Sequence, residues 1–191
     1  MYLITGAKGF IGSHLCEKLN SFVAYDEPEL FEGDKFEKQL ELPEAVFHLG
    51  AISSTTECDT QELARLNILS SCELLEWCVK HSIPFVYASS ASVYGLGSNG
   101  FSEDTPLTPI NYYAISKASF DMFASQKIKD HPNAKIFGLR YFNVYGANES
   151  HKGDMASPIY KFTNQAKKTG EIRVFEGSDN YVRDFISVDD V

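Results

Sequence analysis

Several features that define other protein classes are scarce in this 191-residue sequence. Its four cysteines form no Cys-x-x-Cys pair and its histidines are not clustered, so we predict no metal site and no disulfide framework. The net charge of −9 argues against general nucleic-acid binding, which needs a basic surface. No apolar run reaches the roughly 18 residues of a membrane span, and the sequence starts without a signal-peptide pattern. We therefore expect a cytoplasmic protein with neither a membrane nor a nucleic-acid partner.

The order of the apolar segments predicts an α/β fold with a doubly wound parallel sheet. Near-continuous apolar runs alternate with segments of helical periodicity, as in a sheet whose two faces are both covered by helices. The predicted strands lie at 2–5, 22–25, 45–49, 85–88 and 136–139, and the main helices at 61–80 and 113–128. We expect a dinucleotide-binding domain over 1–150 and the beginning of a smaller substrate lobe over 151–191.

A glycine-rich turn follows the first predicted strand and contains Gly6, Gly9 and Gly12. The spacing Gly-x-x-Gly-x-x-Gly is informative when it joins a strand to a helix, which is its context here. Small residues then let the backbone approach a pyrophosphate at the positive end of the helix. The turn therefore predicts a nicotinamide dinucleotide site.

The residues around the adenosine end leave the choice between NAD and NADP open. Asp26 ends the second predicted strand, where a carboxylate can accept hydrogen bonds from the ribose, which favours NAD. Lys8, Lys35 and Lys38 could instead neutralise the 2′-phosphate of NADP.

An acid/base pair is indicated by Tyr113 and Lys117, which lie one helical turn apart and share a helix face. A nearby ammonium stabilises a phenolate, so we expect a lowered pKa that lets Tyr113 take a proton from an alcohol while hydride leaves the same carbon. Ser90 follows the fourth predicted strand and could hydrogen-bond the same substrate oxygen. Ser89 and Ser92 are alternatives for that role.

At these residues the sequence resembles the extended short-chain dehydrogenase/reductase family, which includes Rossmann-like sugar-nucleotide epimerases and dehydratases. Stretches within 48–57, 141–157 and 175–185 resemble its ADP-glycero-manno-heptose 6-epimerase branch. The resemblance implies a nucleotide-sugar substrate, NADP as cofactor, and transient oxidation followed by re-reduction at C6. It also implies that the later part of the substrate lobe is absent from this chain, and it leaves a homo-oligomer open.

The resemblance also implies roles by position. Tyr113 would be one acid/base and Lys152 a second, on the opposite side of the reacting carbon, because each product configuration benefits from its own proton donor. Arg183 would bind the diphosphate, since its planar guanidinium can hold phosphate oxygens in pairs. The implied cofactor neighbours are Phe10, Ile11, Asp26, Glu27, Leu49, Gly50, Ala51, Ile52, Ser53, Asn67, Lys117 and Val144. The implied substrate neighbours are Ser90, Asn143, Asp154, Lys161, Phe175, Glu176, Gly177, Ser178 and Arg183.

Two other functions fit the same motifs. A UDP- or dTDP-hexose 4-epimerase or dehydratase would use the same cofactor and acid/base set at C4. A non-catalytic dinucleotide sensor would keep the fold, but it would have no use for the combination of Ser90, Tyr113 and Lys117.

Overall fold

A computed structural model of the chain describes residues 1–26, 41–97 and 100–191. They form two compact units, Met1–Tyr141 and Phe142–Val191. The assignment of residues 1–150 to cofactor binding and of residues 151–191 to a substrate lobe remains a prediction.

The first unit is built on a five-stranded parallel sheet, which confirms the predicted fold class. Its strands are β1 (Tyr2–Thr5), β2 (Phe22–Tyr25), β3 (Val46–His48), β4 (Phe85–Ser90) and β5 (Ile136–Tyr141). Their spatial order is β2-β1-β3-β4-β5, so the chain changes winding direction between β1 and β3. In open α/β sheets, ligands bind beyond the carboxyl ends of the strands at such a switch point.

Helices accompany the sheet along the chain: α1 (Phe10–Lys18), α2 (Thr60–Leu63), α3 (Ser70–Lys80) and α4 (Tyr112–Asp130). The Asp59 carboxylate caps α2 by accepting hydrogen bonds from the backbone N–H groups of the first turn. A π-helical turn, Ala64–Leu69, joins α2 to α3 without a break. The single helix predicted over 61–80 is therefore present, but its middle is wound more loosely, as is frequent at functional sites.

Aromatic packing fixes α4 over β4. The Phe120 ring of α4 meets the Tyr87 ring of β4 edge-on at 4.8 Å between centroids, and it contacts Phe85 in the same way at 6.3 Å. Phe85 and Phe120 are both almost fully buried, and burying such a ring stabilises the fold by about 1.5–3 kcal/mol. This contact brings the face of α4 that carries Tyr113 and Lys117 towards the carboxyl end of β4.

The second unit contains a short parallel pair, β6 (Asn143–Tyr145) and β7 (Phe185–Ser187), and one longer helix, α5 (Pro158–Thr169). Ser157 caps α5 through its Oγ atom, which accepts a hydrogen bond from the Tyr160 N–H group at 3.2 Å. Among the residues that the structure describes in either unit, no helix is both long and apolar enough to cross a membrane.

Candidate active site

The three glycines of the first turn have different roles. At Gly6, where φ is +70°, a Cβ atom would lie 2.5 Å from the Gly50 backbone nitrogen, and at Gly12 it would lie 2.1 Å from the Gly6 carbonyl oxygen. These two positions need glycine because backbone packs directly against backbone. At Gly9, the Cβ atom would approach only the Gly6 oxygen within 4 Å, at 3.1 Å, among the described residues. Gly9 thus meets a single backbone oxygen at the N-terminus of α1, a position that fits the pyrophosphate of a dinucleotide.

Asp26 lies beside this turn at the carboxyl end of β2. Its Oδ1 atom accepts a hydrogen bond from the Lys8 N–H group at 3.5 Å, and its Oδ2 atom is 4.0 Å from Lys8 Nζ. The carboxylate is partly buried whereas the Lys8 side chain is almost fully exposed. Asp26 and Lys8, the two described residues considered for the adenosine ribose, therefore lie next to each other beside the glycine turn. Three other residues considered for the cofactor, Glu27, Lys35 and Lys38, lie outside the described residues.

A buried histidine supports the loop after β3 at the switch point of the sheet. The Thr5 hydroxyl accepts a hydrogen bond from the Gly50 N–H group at 3.0 Å and bonds His48 Nδ1 at 2.7 Å, while His48 Nε2 bonds the Ser71 hydroxyl at 2.8 Å. Ser71 Oγ also donates to the Leu66 carbonyl at 3.5 Å. Burial lowers the pKa of His48 to about 3, which keeps the ring neutral. Sequence reasoning missed this network, which anchors Gly50.

Asn67 clamps the same loop from the π-helical turn. Its Oδ1 atom accepts from the Ile52 N–H group at 2.9 Å, and its Nδ2 atom donates to the Ile52 carbonyl at 2.9 Å and to Ser116 Oγ at 3.0 Å. The side chain is 1% exposed. Both amide hydrogens are bonded to protein, so Asn67 supports the loop of predicted cofactor neighbours, which comprises Leu49, Gly50, Ala51, Ile52 and Ser53.

The structure places the Ser90 side chain beside the Tyr113 phenol. The Ser90 side chain lies close enough to the Tyr113 phenol to lower its pKa, and Tyr113 is 9% exposed. The hydroxyl groups of the alternatives, Ser89 and Ser92, are buried and lack a hydrogen-bond partner among the described residues. Ser90 is therefore the serine of this group that contacts the phenol.

The electrostatics of Tyr113 differ from the expectation. Burial raises its pKa above the ordinary value, and the neighbouring Ser90 hydroxyl acts in the opposite direction. The predicted lowering by Lys117 is wrong, because burial of the phenol is the larger effect. The Lys117 ammonium donates to the Ala88 carbonyl at 3.0 Å. Burial lowers the pKa of Lys117 to about 8, with Asp121 opposing the effect. Tyr113 is thus a protonated phenol at neutral pH.

In the second unit, Lys152 lies in a 3-10 helical segment, Glu149–Met155, with its Nζ atom 3.8 Å from Glu149 Oε2. Burial lowers the pKa of Lys152, and the Glu149 charge opposes this effect. Glu149 is 1% exposed and accepts hydrogen bonds from the Gly146 N–H group at 2.9 Å and from the Ser157 N–H and Oγ–H groups at 2.6 and 2.9 Å. Nothing in the spacing indicated that Glu149 would be buried beside Lys152.

The other predicted residues of this unit have local partners. Asn143 Nδ2 donates to the Asp184 carbonyl at 2.8 Å, and Lys161 Nζ donates to the Asp154 carbonyl. The exposed Arg183 guanidinium donates to the Val182 carbonyl at 2.8 Å and lies 5.7 Å from the centre of the Tyr181 ring. Val144 is buried, Phe175, Glu176 and Gly177 are exposed, and Ser178 is half-buried. Their cofactor and substrate contacts remain predictions.

Replacing Gly9 with valine is expected to abolish dinucleotide binding without unfolding the chain. The φ of Gly9 is −73°, which valine adopts readily, and a Cβ atom there requires the Gly6 carbonyl, 3.1 Å away, to move only slightly. The new side chain would stand at the helix N-terminus, where the pyrophosphate is expected. Calorimetric titration with NAD and with NADP would measure the loss, and circular dichroism would verify the fold. Unchanged affinity in a folded variant would mean that the pyrophosphate binds elsewhere.

Comparison with known proteins gives consistent matches along the chain. The pattern of the NAD dependent epimerase/dehydratase family matches residues 2–191. The ADP-L-glycero-D-manno-heptose-6-epimerase of Alkalilimnicola ehrlichii is 40% identical over an alignment of 222 residues, which covers 100% of this chain and 69% of the relative. The crystal structure of the Helicobacter pylori enzyme of that name has a TM-score of 0.83 at 27% identity, covering 98% of this chain and 69% of that one. A UDP-glucuronic acid 4-epimerase from Bacillus cereus in complex with NAD has a TM-score of 0.76 at 27% identity, covering 98% and 70%.

Proposed function

This chain belongs to the NAD dependent epimerase/dehydratase family, and on that premise we propose that it is an ADP-glycero-manno-heptose 6-epimerase that oxidises and re-reduces its substrate at C6. The observation that carries the proposal is the placement of Ser90 beside the buried phenol of Tyr113, one helical turn from the buried Lys117. A sensor that only binds a dinucleotide has no need for this arrangement. The heptose assignment is supported by the 40% identity to a relative of that name.

The cofactor proposed for this site is NAD. The turn at Gly9 would hold its pyrophosphate, Asp26 its adenosine ribose, and the loop that Asn67 clamps would border it. The Asp26 carboxylate favours a free 2′-hydroxyl, because it would repel a 2′-phosphate. The exposed Lys8 side chain is the feature that favours NADP. When bound, the nicotinamide supplies the redox chemistry: it takes a hydride from C6 and returns it.

The two acid/base groups have environments that push their pKa values in opposite directions. Burial raises the pKa of Tyr113 and lowers that of Lys152. Burial thus favours the neutral form of each group, the protonated phenol of Tyr113 and the amine of Lys152, and these are the forms that donate and accept a proton. The proposal therefore assigns Lys152 as the group that accepts the hydroxyl proton when C6 is oxidised from one epimer. Tyr113, oriented by Ser90, then donates a proton to the substrate oxygen when the ketone is reduced on its other face.

After that half of the cycle, Tyr113 is a phenolate and Lys152 an ammonium. This is the protonation state that the opposite epimer needs, since its hydroxyl proton goes to Tyr113 and its product receives one from Lys152. Lys117, protonated and bonded to the Ala88 carbonyl, supplies a buried positive charge on the helix face that carries Tyr113. The reaction is thus balanced in both directions without a further proton source.

A substrate comparison tests this function against the alternatives. Incubated with NAD, the complete protein is expected to interconvert the two C6 epimers of ADP-heptose and to leave UDP-glucose and UDP-glucuronic acid unchanged, as followed by proton NMR. Turnover of a UDP-hexose at C4 alone would favour the 4-epimerase instead. Dinucleotide binding without turnover of any of these sugars would favour a sensor.

A further inference from the structure

A buried carboxylate lies one helical turn beyond Lys117 on the same face of α4. Asp121 is 3% exposed, and both of its oxygens have partners from the sheet. Oδ1 accepts a hydrogen bond from the Tyr87 hydroxyl at 3.0 Å, and Oδ2 accepts one from Arg140 Nε at 2.9 Å. The acid/base helix is therefore tied to β4 by a hydrogen bond from the Tyr87 hydroxyl and to β5 by an ion pair with Arg140.

Arg140 extends this connection to the turn that begins at Ser90. Its Nη1 atom donates to the Tyr94 hydroxyl at 3.0 Å, and its guanidinium carbon lies 5.1 Å from the centre of the Tyr94 ring. Tyr94 is the last residue of the 3-10 turn Ala91–Tyr94. Ser90 caps the start of this turn, since its Oγ atom accepts from the Ser92 N–H group at 3.2 Å. One end of the turn thus meets Tyr113 through Ser90, and the other end meets Asp121 through Arg140.

We propose that Asp121 and Arg140 are positioning residues that hold the Ser90 turn in register with the helix carrying Tyr113 and Lys117. At its Ser90 end, the turn lies beside Tyr113 of α4. At its Tyr94 end, the turn is connected to α4 through Arg140, which bonds both the Tyr94 hydroxyl and Asp121, and this second connection restricts rotation about the first. The catalytic meaning of this arrangement rests on the function proposed above, whereas its structural part concerns the chain itself.

The same carboxylate acts on the charge of Lys117. Lys117 is faced by Asp121 on its own helix and by His48 from β3, and it shares its helix face with Tyr113. His48 is neutral, and Asp121 favours the ammonium form against the effect of burial. Asp121 therefore influences the proposed site in two ways, by geometry through Arg140 and by charge directly. Suitable substitutions separate these two effects.

Three variants separate positioning from plain stability. Tyr94→Phe removes the hydroxyl that Arg140 bonds and keeps the ring, so it breaks the hydrogen bond between Arg140 and the turn. Asp121→Asn removes the charge and weakens both effects. Tyr87→Phe is the matched control. It also deletes one tyrosine hydroxyl and one hydrogen bond to Asp121, but it leaves the hydrogen bond from Arg140 to Tyr94 intact.

Amide hydrogen exchange of the 191-residue chain, resolved for residues 91–95, measures the positioning. We expect exchange in this turn to be at least about tenfold faster in Tyr94→Phe and in Asp121→Asn than in the unaltered chain, since a bond to a charged group is lost. Tyr87→Phe is expected to leave exchange in the turn unchanged after correction for global unfolding. If Asp121→Asn does not fold, Tyr94→Phe decides alone. Equal exchange in Tyr94→Phe and the unaltered chain would overturn the proposal, whether or not the protein turns over a sugar nucleotide.

The charge effect has its own readout. In an NMR titration of the lysine side chains, with Lys117→Met as the assignment control, Asp121→Asn is expected to lower the pKa of Lys117 from about 8, whereas Tyr94→Phe leaves it unchanged. An unshifted midpoint in a folded Asp121→Asn variant would contradict the role of its charge. In the complete protein, Tyr94→Phe is then expected to lower kcat while the affinity for NAD stays constant. A looser turn without any turnover in the unaltered protein would refute the proposed function and leave the positioning role intact.

Discussion

Replacing Tyr113 with phenylalanine is expected to lower turnover of the complete protein by about 10²-fold or more, with dinucleotide affinity nearly unchanged. The ring of Tyr113 is buried and packs in the same way in both residues, so the substitution removes the hydroxyl and little else. That hydroxyl is the group that lies beside Ser90 and that donates or accepts the substrate proton in the proposed cycle. Epimer interconversion measured by NMR and NAD binding measured by calorimetry would give the two quantities.

Tyr112 provides the matched control for this experiment. It is the preceding residue of α4 and its ring is 52% exposed, so Tyr112→Phe makes the same chemical change away from Ser90. The control variant is expected to keep nearly all activity. Comparable activity in the two variants would eliminate Tyr113 as the acid/base and strengthen the sensor interpretation.

Replacing Lys152 with methionine is expected to impair the two epimers of the substrate unequally. The methionine side chain keeps much of the apolar stem and deletes the ammonium, so a loss is assigned to the charge and its proton. Oxidation of the epimer whose proton Lys152 accepts is expected to slow by about 10²-fold or more, the usual contribution of a positioned base. Single-turnover reactions started from each pure epimer, with reduced cofactor followed by its absorbance, would measure the difference.

Lys168→Met controls for the loss of a lysine from the same unit, because Lys168 lies in the last turn of α5 and is exposed. It is expected to leave both epimers unaffected. Small and equal effects of Lys152→Met on both epimers would reduce Lys152 to a surface lysine or phosphate contact. The assignment to C6 chemistry would then depend on similarity to relatives alone.

The sheet could be predicted from the sequence because its signals are local. The strands at 2–5 and 22–25 are found where the apolar runs predicted them, and β4 and β5 each extend two residues further. The π-helical turn Ala64–Leu69 could not be predicted, because helical periodicity over 61–80 tolerates one loosely wound turn. Its consequence, the placement of Asn67 against the loop after β3, was therefore visible only in the structure.

The candidate site was predictable only where its residues belong to one short motif. The turn at Gly9 and the pairing of Tyr113 with Ser90 follow from motifs next to strand ends. Asp121 had a signal, since it lies four residues after Lys117 on the same helix face. Its partner Arg140 comes from another strand, and no local pattern joins the two. The raised pKa of Tyr113 was missed for the same reason, because burial is set by tertiary packing.

The most direct test of the central claim is the fate of the hydrogen on C6. ADP-heptose carrying deuterium at C6 would be converted by the complete protein in ordinary water, and the product would be analysed by NMR and mass spectrometry. Transient oxidation and re-reduction predicts an inverted C6 that retains the deuterium, because the hydride that leaves the carbon is the one returned to it. A product in which that position has exchanged with solvent hydrogen would contradict the account, since it would require deprotonation of the carbon rather than hydride transfer.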